Sequence, residues 1–428
     1  MGSRSRRKYV GTLSVVAAAA MLLAACSSSS KNSASTGSNS TTATPTKSIV
    51  TIAALIDISG PSSGGRASVA KVVPAWEKYI NAKGGLNGHP VKIDIRDVNS
   101  DAATAQSEEN SLLQEHPIAW LIDSSATESA QAPFLGKTGI PIIGAGYSPV
   151  LWGAQLSSLG LNCSTGPTSK LPCAQPNAFT VTTTFGAVLD QAAIEAKAQG
   201  ATKIVDVVCA EIDSCSSGDP ELKATAKKIG LDDVGLVKVS STAPSYTTQC
   251  VQFIQEKVDW IELSINNGPA TQFSKDCLVQ GYTGWIGALT QAVCCQLLQV
   301  PNIKIGGGIE AFPWWVNDAP VREFRSAMTA GGVADSNWQN SGATGIWTAL
   351  QMFAAAQKNL GDNPTAADAL QNMYSLQGET LGGLIPPITF TQGQPAGPRN
   401  CFWPITYQNG TLSNPLGGLK YECYPSQS

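Results

Sequence analysis

From Ser48 onward, short apolar runs alternate with longer stretches of helical period. IVTIAALI (49–56) is apolar almost throughout, the pattern of a strand buried on both faces. VKIDIRDV (91–98), IAWLID (118–123) and IPIIGAG (140–146) follow it, with helical stretches ending near Asn81 and covering about 102–115. Lys83-Gly84-Gly85-Leu86-Asn87-Gly88 breaks the first helix. The rhythm lapses over 147–180 and then resumes. KIVDVVC (203–209), DVGLVKV (233–239), VDWIELSI (258–265), WIGAL (285–289) and NIKIGGG (302–308) read as strands. Helices are predicted near 186–200, 219–229, 246–257 and 269–281. Strands alternating with helices of 10–15 residues imply parallel sheets with right-handed crossovers. Two such series predict an α/β protein of two doubly wound parallel-sheet lobes. The remainder reads as helices (about 318–330, 341–359 and 365–377) and a hairpin-like tail.

The amino-terminal segment has a different composition. Arg4, Arg6, Arg7 and Lys8 precede a short apolar run, Val10 to Ala25, which reads as a signal peptide (1–25) rather than a membrane span. Leu23-Ala24-Ala25-Cys26 resembles a bacterial lipobox, which implies cleavage before Cys26 and lipid on its sulfur. Thirteen of the 21 residues from 27 to 47 are Ser or Thr, so 26–47 reads as a lipidated, flexible tether. A coil of that length spans roughly 25 Å. No later segment has 18 uninterrupted apolar residues, so lipid is the expected membrane attachment.

Composition narrows the function classes. The chain is 43% hydrophobic and 14% charged, which suits a packed core. Its net charge of −3 becomes −7 once residues 1–25 are removed, which argues against nucleic acid as a partner. There are two histidines, His89 and His116, both followed by proline and both read as turn residues. Eleven cysteines indicate an oxidising compartment. Without Cys26, ten remain. Proximity suggests Cys163–Cys173, Cys209–Cys215, Cys250–Cys277 and Cys401–Cys423. Cys294 and Cys295 form either a vicinal disulfide or bonds elsewhere. No CxxC pair or Cys–His spacing points to a metal, and no cofactor is expected.

INAKGGLNGHPVKIDIRDVNSDAATAQ (80–106) resembles the signature of solute-binding proteins of the branched-chain amino-acid class, which serve ATP-driven importers. Asp57-Ile58-Ser59-Gly60-Pro61 is similar to that family's first turn, Ile140-Pro141-Ile142-Ile143 to its fourth strand, and CFWPITYQNGTL (401–412) to its carboxyl-terminal hairpin. The resemblance implies the type I periplasmic binding fold, with lobes of 48–178 plus 309–380 and 179–308 plus 381–428 joined by a multi-strand hinge. It implies a small-molecule ligand, ABC permease subunits as partners, and a site on the outer face of the bacterial cell membrane. It also implies that Ser125, Gly146 and Ser148 hold a ligand carboxylate.

Ligands of open parallel sheets bind beyond the strands' carboxyl ends. That rule adds Ser62, Ser63, Ser124, Tyr147, Glu211, Asn266, Asn267 and Gln291 as candidates. Tyr147, Trp285, Trp314 and Trp315 offer aromatic faces near predicted strand ends. The family's amino-acid binders place an acid soon after a second-lobe strand, where this chain reads Ser264-Ile265-Asn266-Asn267-Gly268-Pro269. Amides cannot neutralise an ammonium, so a ligand without an α-ammonium is expected. Glu211 and Asp213 are the nearest substitutes. Gly146-Tyr147-Ser148-Pro149-Val150 lacks the second glycine of a nucleophile elbow, and Gly306-Gly307-Gly308 lacks a dinucleotide fingerprint. A binding protein rather than an enzyme is therefore expected. A ligand-sensing receptor is the nearer alternative, a secreted enzyme the more distant one.

Overall fold

A computed structural model describes residues 46–424 apart from 65, 125, 146–148, 153–174, 182–184, 212, 217 and 395–400. The amino-terminal half runs β1 (Val50–Ile56), α1 (Val69–Ala82), β2 (Val91–Asp97), α2 (Ala102–Leu113), β3 (Ala119–Asp123), α3 (Glu128–Lys137), β4 (Ile142–Gly144), α4 (Pro149–Trp152) and β5 (Ala178–Thr180). These strands form one parallel sheet in the order β2-β1-β3-β4-β5. The chain continues through α5 (Phe185–Ala198), β6 (Lys203–Cys209), α6 (Asp219–Ile229), β7 (Asp232–Val239), α7 (Thr247–Gln255), β8 (Trp260–Ser264), α8 (Asn267–Val279), β9 (Trp285–Ala288) and β10 (Ile305–Ile309). Their order, β7-β6-β8-β9-β10, repeats the winding of the first sheet.

Alternate residues of β1 explain its continuous apolar run. Ile52, Ala54 and Ile56 face α1, while Ala53 and Leu55 face α2 and α3. In the second sheet Val205, Val207, Ile261 and Leu263 meet Cys250, Phe253 and Phe273 of α7 and α8. Ile204 and Trp260 meet α5 and α6 on the other face. That face also buries acids. Asp206 and Glu262 stand opposite each other on β6 and β8, both shielded from solvent. Burial holds the Asp206 carboxyl well above its ordinary range and pushes Glu262 up to about 7, opposed by the Trp260 indole N–H donating to Glu262 Oε2 at 3.1 Å.

The chain passes to the second sheet after β5 and leaves that sheet after β10. The segment after β10 leads into α9 (Ala319–Gly331), α10 (Asp335–Trp338), α11 (Ser341–Ala356) and α12 (Ala366–Met373), of which α9, α10 and α11 pack on α1. A small hairpin, β11 (Gln377–Glu379) and β12 (Ile388–Thr389), follows. β13 (Cys401–Gln408) returns antiparallel to β10, with β14 (Thr411–Ser413) and β15 (Glu422–Cys423) beside it. The strand β5 falls where the hydrophobic pattern shows no element.

Cys209–Cys215, Cys250–Cys277 and Cys401–Cys423 are disulfides, as proximity in the sequence suggests. The vicinal bond is not formed: Cys294 and Cys295 carry thiols. Cys26, Cys163 and Cys173 lie outside the described residues. His89 is more than a turn residue. It is fully buried, with Nδ1 2.8 Å from the Ser48 carbonyl and Nε2 2.8 Å from that of Gly361. Among the described residues no helix is long and apolar enough to cross a membrane.

Candidate functional site

Two adjacent strands of the first sheet end in acids. Asp57 follows β1, Asp123 closes β3, and the Asp57 N–H donates to the Asp123 carbonyl at 3.1 Å. β1 and β3 flank the point where the winding reverses, so these acids floor the crevice. The loop from 57 to 68 folds back over them and inserts Arg66, whose guanidinium forms an ion pair with Asp123. Arg66, Asp57 and Asp123 are each at most 3% exposed. Asp57 accepts from the Ser100 N–H at 2.8 Å. Burial raises its carboxyl above the ordinary range, opposed by a hydrogen bond with Ser124 and by the Arg66 charge. Ser124, fully buried, also lies 2.6 Å from Thr127 Oγ1.

The ion pair therefore fastens the loop that carries Ser62 and Ser63. Gly60 makes its tight bend at φ +91°, where a Cβ would sit 2.4 Å from the Asn99 carbonyl oxygen. Ser63 Oγ donates to the Gly60 carbonyl at 2.8 Å and serves the turn itself. Ser62 differs. Its N–H donates to Ser100 Oγ at 3.0 Å, while its own buried hydroxyl has no hydrogen-bond partner among the described residues. A buried hydroxyl left so is a place for a ligand atom.

The loop after β8 meets this loop from the other lobe. Asn266 Nδ2 donates to the Pro61 carbonyl at 3.4 Å, and a Cβ on Gly64 would lie 3.3 Å from that of Asn266. Asn267 instead holds its own lobe together, donating through Nδ2 to the carbonyls of Ala292 (2.7 Å) and Cys294 (3.2 Å). Ser264 points inward and donates to Asp206 Oδ1 at 2.8 Å. Glu211 is exposed, and its Oε1 accepts from Ser240 Oγ (2.8 Å) and the Ser241 N–H (2.9 Å), tying it to the turn after edge strand β7. Ser125, Gly146, Tyr147, Ser148 and the side chain of Gln291 lie outside the described residues.

Two residues at this end escaped the sequence reading. Arg66 is the only cation between Lys47 and Lys71, and two apolar strands ending in acids were the signal that one was needed. Glu310 follows β10 where the chain leaves the second sheet; it is 5% exposed and accepts from Thr290 Oγ1 at 2.6 Å. The aromatic candidates divide. Trp285 opens β9 at the amino end of the sheet, opposite the crevice, and stacks on Trp260 with centroids 6.3 Å apart. With Lys257, Asp259 and Lys304 it lines a cavity of about 410 Å³ there. In the crossing after β10, Trp314 is buried and Trp315 half-buried against its edge. No cluster of three or more His, Cys, Asp or Glu side chains among the described residues is placed to hold a metal ion.

Comparison with known proteins fits this architecture. No curated protein matches the chain in sequence. Several solved structures share the fold at low identity. A fatty acid ABC transporter substrate-binding protein from Thermomonospora curvata is 17% identical, with a TM-score of 0.69 over 90% of this chain and 95% of that one. A leucine-binding protein from Thermotoga maritima is 15% identical, with a TM-score of 0.66 over 85% and 97%. A solute-binding protein of an ABC transporter from R. palustris, in complex with 4-hydroxybenzoate, is 12% identical, with a TM-score of 0.66 over 89% and 98%. The model of one protein family, described as periplasmic binding protein, matches residues 49–411, most of the two-lobed body. With two parallel sheets of the same winding, and loops that meet at their switch points, the chain belongs to the periplasmic binding protein family.

Proposed function

We propose that the protein is the membrane-anchored, extracytoplasmic solute-binding component of an ABC importer, capturing a small polar or carboxylate-bearing molecule between two closing lobes. The observation that carries this reading is the meeting of the loops after β1 and β8, Asn266 against Pro61 and Gly64. Each lies at its own sheet's switch point, so a ligand there touches both lobes and favours the state in which they close on it. The leader ending Leu23-Ala24-Ala25-Cys26 and the Ser/Thr-rich tether support a lipid anchor, and the family supports a place outside the cytoplasm and an ABC permease as partner.

The ligand class follows from the donors. Ser62 offers a buried hydroxyl, and Asn266 offers an amide across the crevice. The stretch 264–269 holds no carboxylate, and an ammonium enclosed without an anion costs several kcal/mol. A carboxylic acid or an amide without an α-ammonium fits these groups. The solved neighbours named for a fatty acid and for 4-hydroxybenzoate support an acid. One observation favours an amino acid instead: Glu310 places a carboxylate at the end of β10. Mass spectrometry of compounds released by denaturing the purified protein separates the two. Recovery of an acid or amide lacking an α-ammonium is expected; recovery of leucine, isoleucine or valine overturns the assignment.

A further inference from the structure

Three of the cysteine pairs described are disulfides, whereas Cys294 and Cys295 are adjacent thiols in the turn that follows β9. The two differ sharply in environment. Cys294 is 2% exposed, and the Asn267 amide holds its carbonyl. Cys295 is exposed, and its Sγ donates to the carbonyl of Ser336, on α10 of the other lobe, at 3.7 Å. Cys295 also has φ +52°, a left-handed conformation that a side chain rarely adopts and that concentrates at functional positions. A hydrogen bond from Cys294 lowers the Cys295 thiol to about 7, and that same bond, with burial, pushes Cys294 up. An accessible thiol with thiolate character beside a buried one is the arrangement of an attacking and a resolving cysteine.

We propose that Cys294 and Cys295 form a thiol–disulfide exchange site at the rim of the crevice, with Cys295 attacking small disulfides and Cys294 resolving the product. The Cys295 thiolate attacks one sulfur of a disulfide R–S–S–R. A mixed disulfide forms on Cys295, and RS⁻ leaves and takes up the proton that Cys295 gave to solvent. Cys294 Sγ, already in contact, then attacks Cys295 Sγ. The Cys294–Cys295 bond forms, the second RS⁻ leaves, and it takes the Cys294 proton. Two protein thiols are oxidised and one disulfide is reduced to two thiols. Adjacent Cα atoms are about 3.8 Å apart, below the 4.4–6.8 Å that disulfides ordinarily span. The vicinal bond is therefore strained and more easily reduced than an ordinary structural one. Its formation withdraws the Cys295 sulfur from Ser336, so the exchange acts on a contact between the lobes.

The test is differential alkylation and peptide mass spectrometry of the full-length protein equilibrated in glutathione buffers from fully oxidised to fully reduced. In oxidised buffer, the peptide holding Cys294 and Cys295 is expected to lose two hydrogens and to resist alkylation. It should regain both thiols at a less reducing ratio than opens Cys250–Cys277. Cys294→Ser, which keeps Cys295, should accumulate a glutathione adduct, and Cys295→Ser should accumulate none. Persistence of both wild-type thiols in oxidised glutathione overturns the proposal. So does a Cys294→Ser protein without adduct, or a vicinal bond that outlasts Cys250–Cys277.

Discussion

Replacing Arg66 by Met tests whether the floor of the first crevice is built as described. Met keeps an unbranched apolar stem and removes the guanidinium and its charge, leaving Asp123 with no cation in a site 2% exposed and Asp57 without the charge that opposes its burial. Breaking a buried ion pair by removing one partner costs about 3–5 kcal/mol. With the first lobe as the unfolding unit, that lowers its transition by roughly 6–20 °C, at about 2–4 °C per kcal/mol for a unit of 150–250 residues. Arg66→Met combined with Asp123→Asn removes the uncompensated charge, so the double variant should be more stable than the sum of the single losses implies. Differential scanning calorimetry of the four proteins at pH 7 reads the cycle. A single-variant shift below 2 °C, or strict additivity, refutes the reasoning.

Burial pushes Glu109, Glu195 and Glu262 up to about 7 and Asp190 to about 6. Such groups stabilise the fold fully below the ordinary carboxylate range and progressively less as pH rises through their folded values. Between pH 5.5 and 7 the loss from Glu262 alone is about 2 kcal/mol. The melting temperature should therefore fall from pH 5.5 to 8, less steeply in Glu262→Gln; a flat or rising profile, or an unchanged slope in the variant, contradicts this. Cys26→Ser should move the protein from the membrane fraction to the soluble one, as seen by fractionation and immunoblot, and continued retention sinks the lipid anchor. Small-angle scattering should show a smaller radius of gyration at saturating ligand; no compaction with an identified ligand counts against closure.

The elements that were legible in the sequence are those whose packing is written into consecutive residues. β6 reads as KIVDVVC because parallel strands covered by helices on both faces are apolar along their length, and α6 is bounded by Gly218 and Gly230. β5 was hidden because three residues carry no period; its pairing with Ile142–Gly144 makes it a strand. Arg66 escaped for a related reason, since its partner stands 57 positions away and nothing local marks the pair. Trp285 opens its strand at the position read from the sequence, and that start puts its ring at the amino end of the sheet, stacked on Trp260 and away from the crevice. The amide pair split in a way no sequence shows: Asn266 reaches across the crevice and Asn267 secures its own lobe. Disulfides between neighbours in the chain were legible from spacing, whereas the thiol state of Cys294 and Cys295 was not.

On the proposed function, the crevice takes a small molecule without an α-ammonium. Isothermal titration calorimetry on ligand-stripped protein tests it most directly, with leucine, isoleucine and valine set against hexanoate, benzoate, 4-hydroxybenzoate and their amides. Micromolar binding of at least one acid or amide is expected, weakened about tenfold in Ser62→Ala, with weak or absent heats for the three amino acids. Micromolar or tighter binding of any of those amino acids would contradict it and would direct attention to Glu310 as the charge that meets the ammonium.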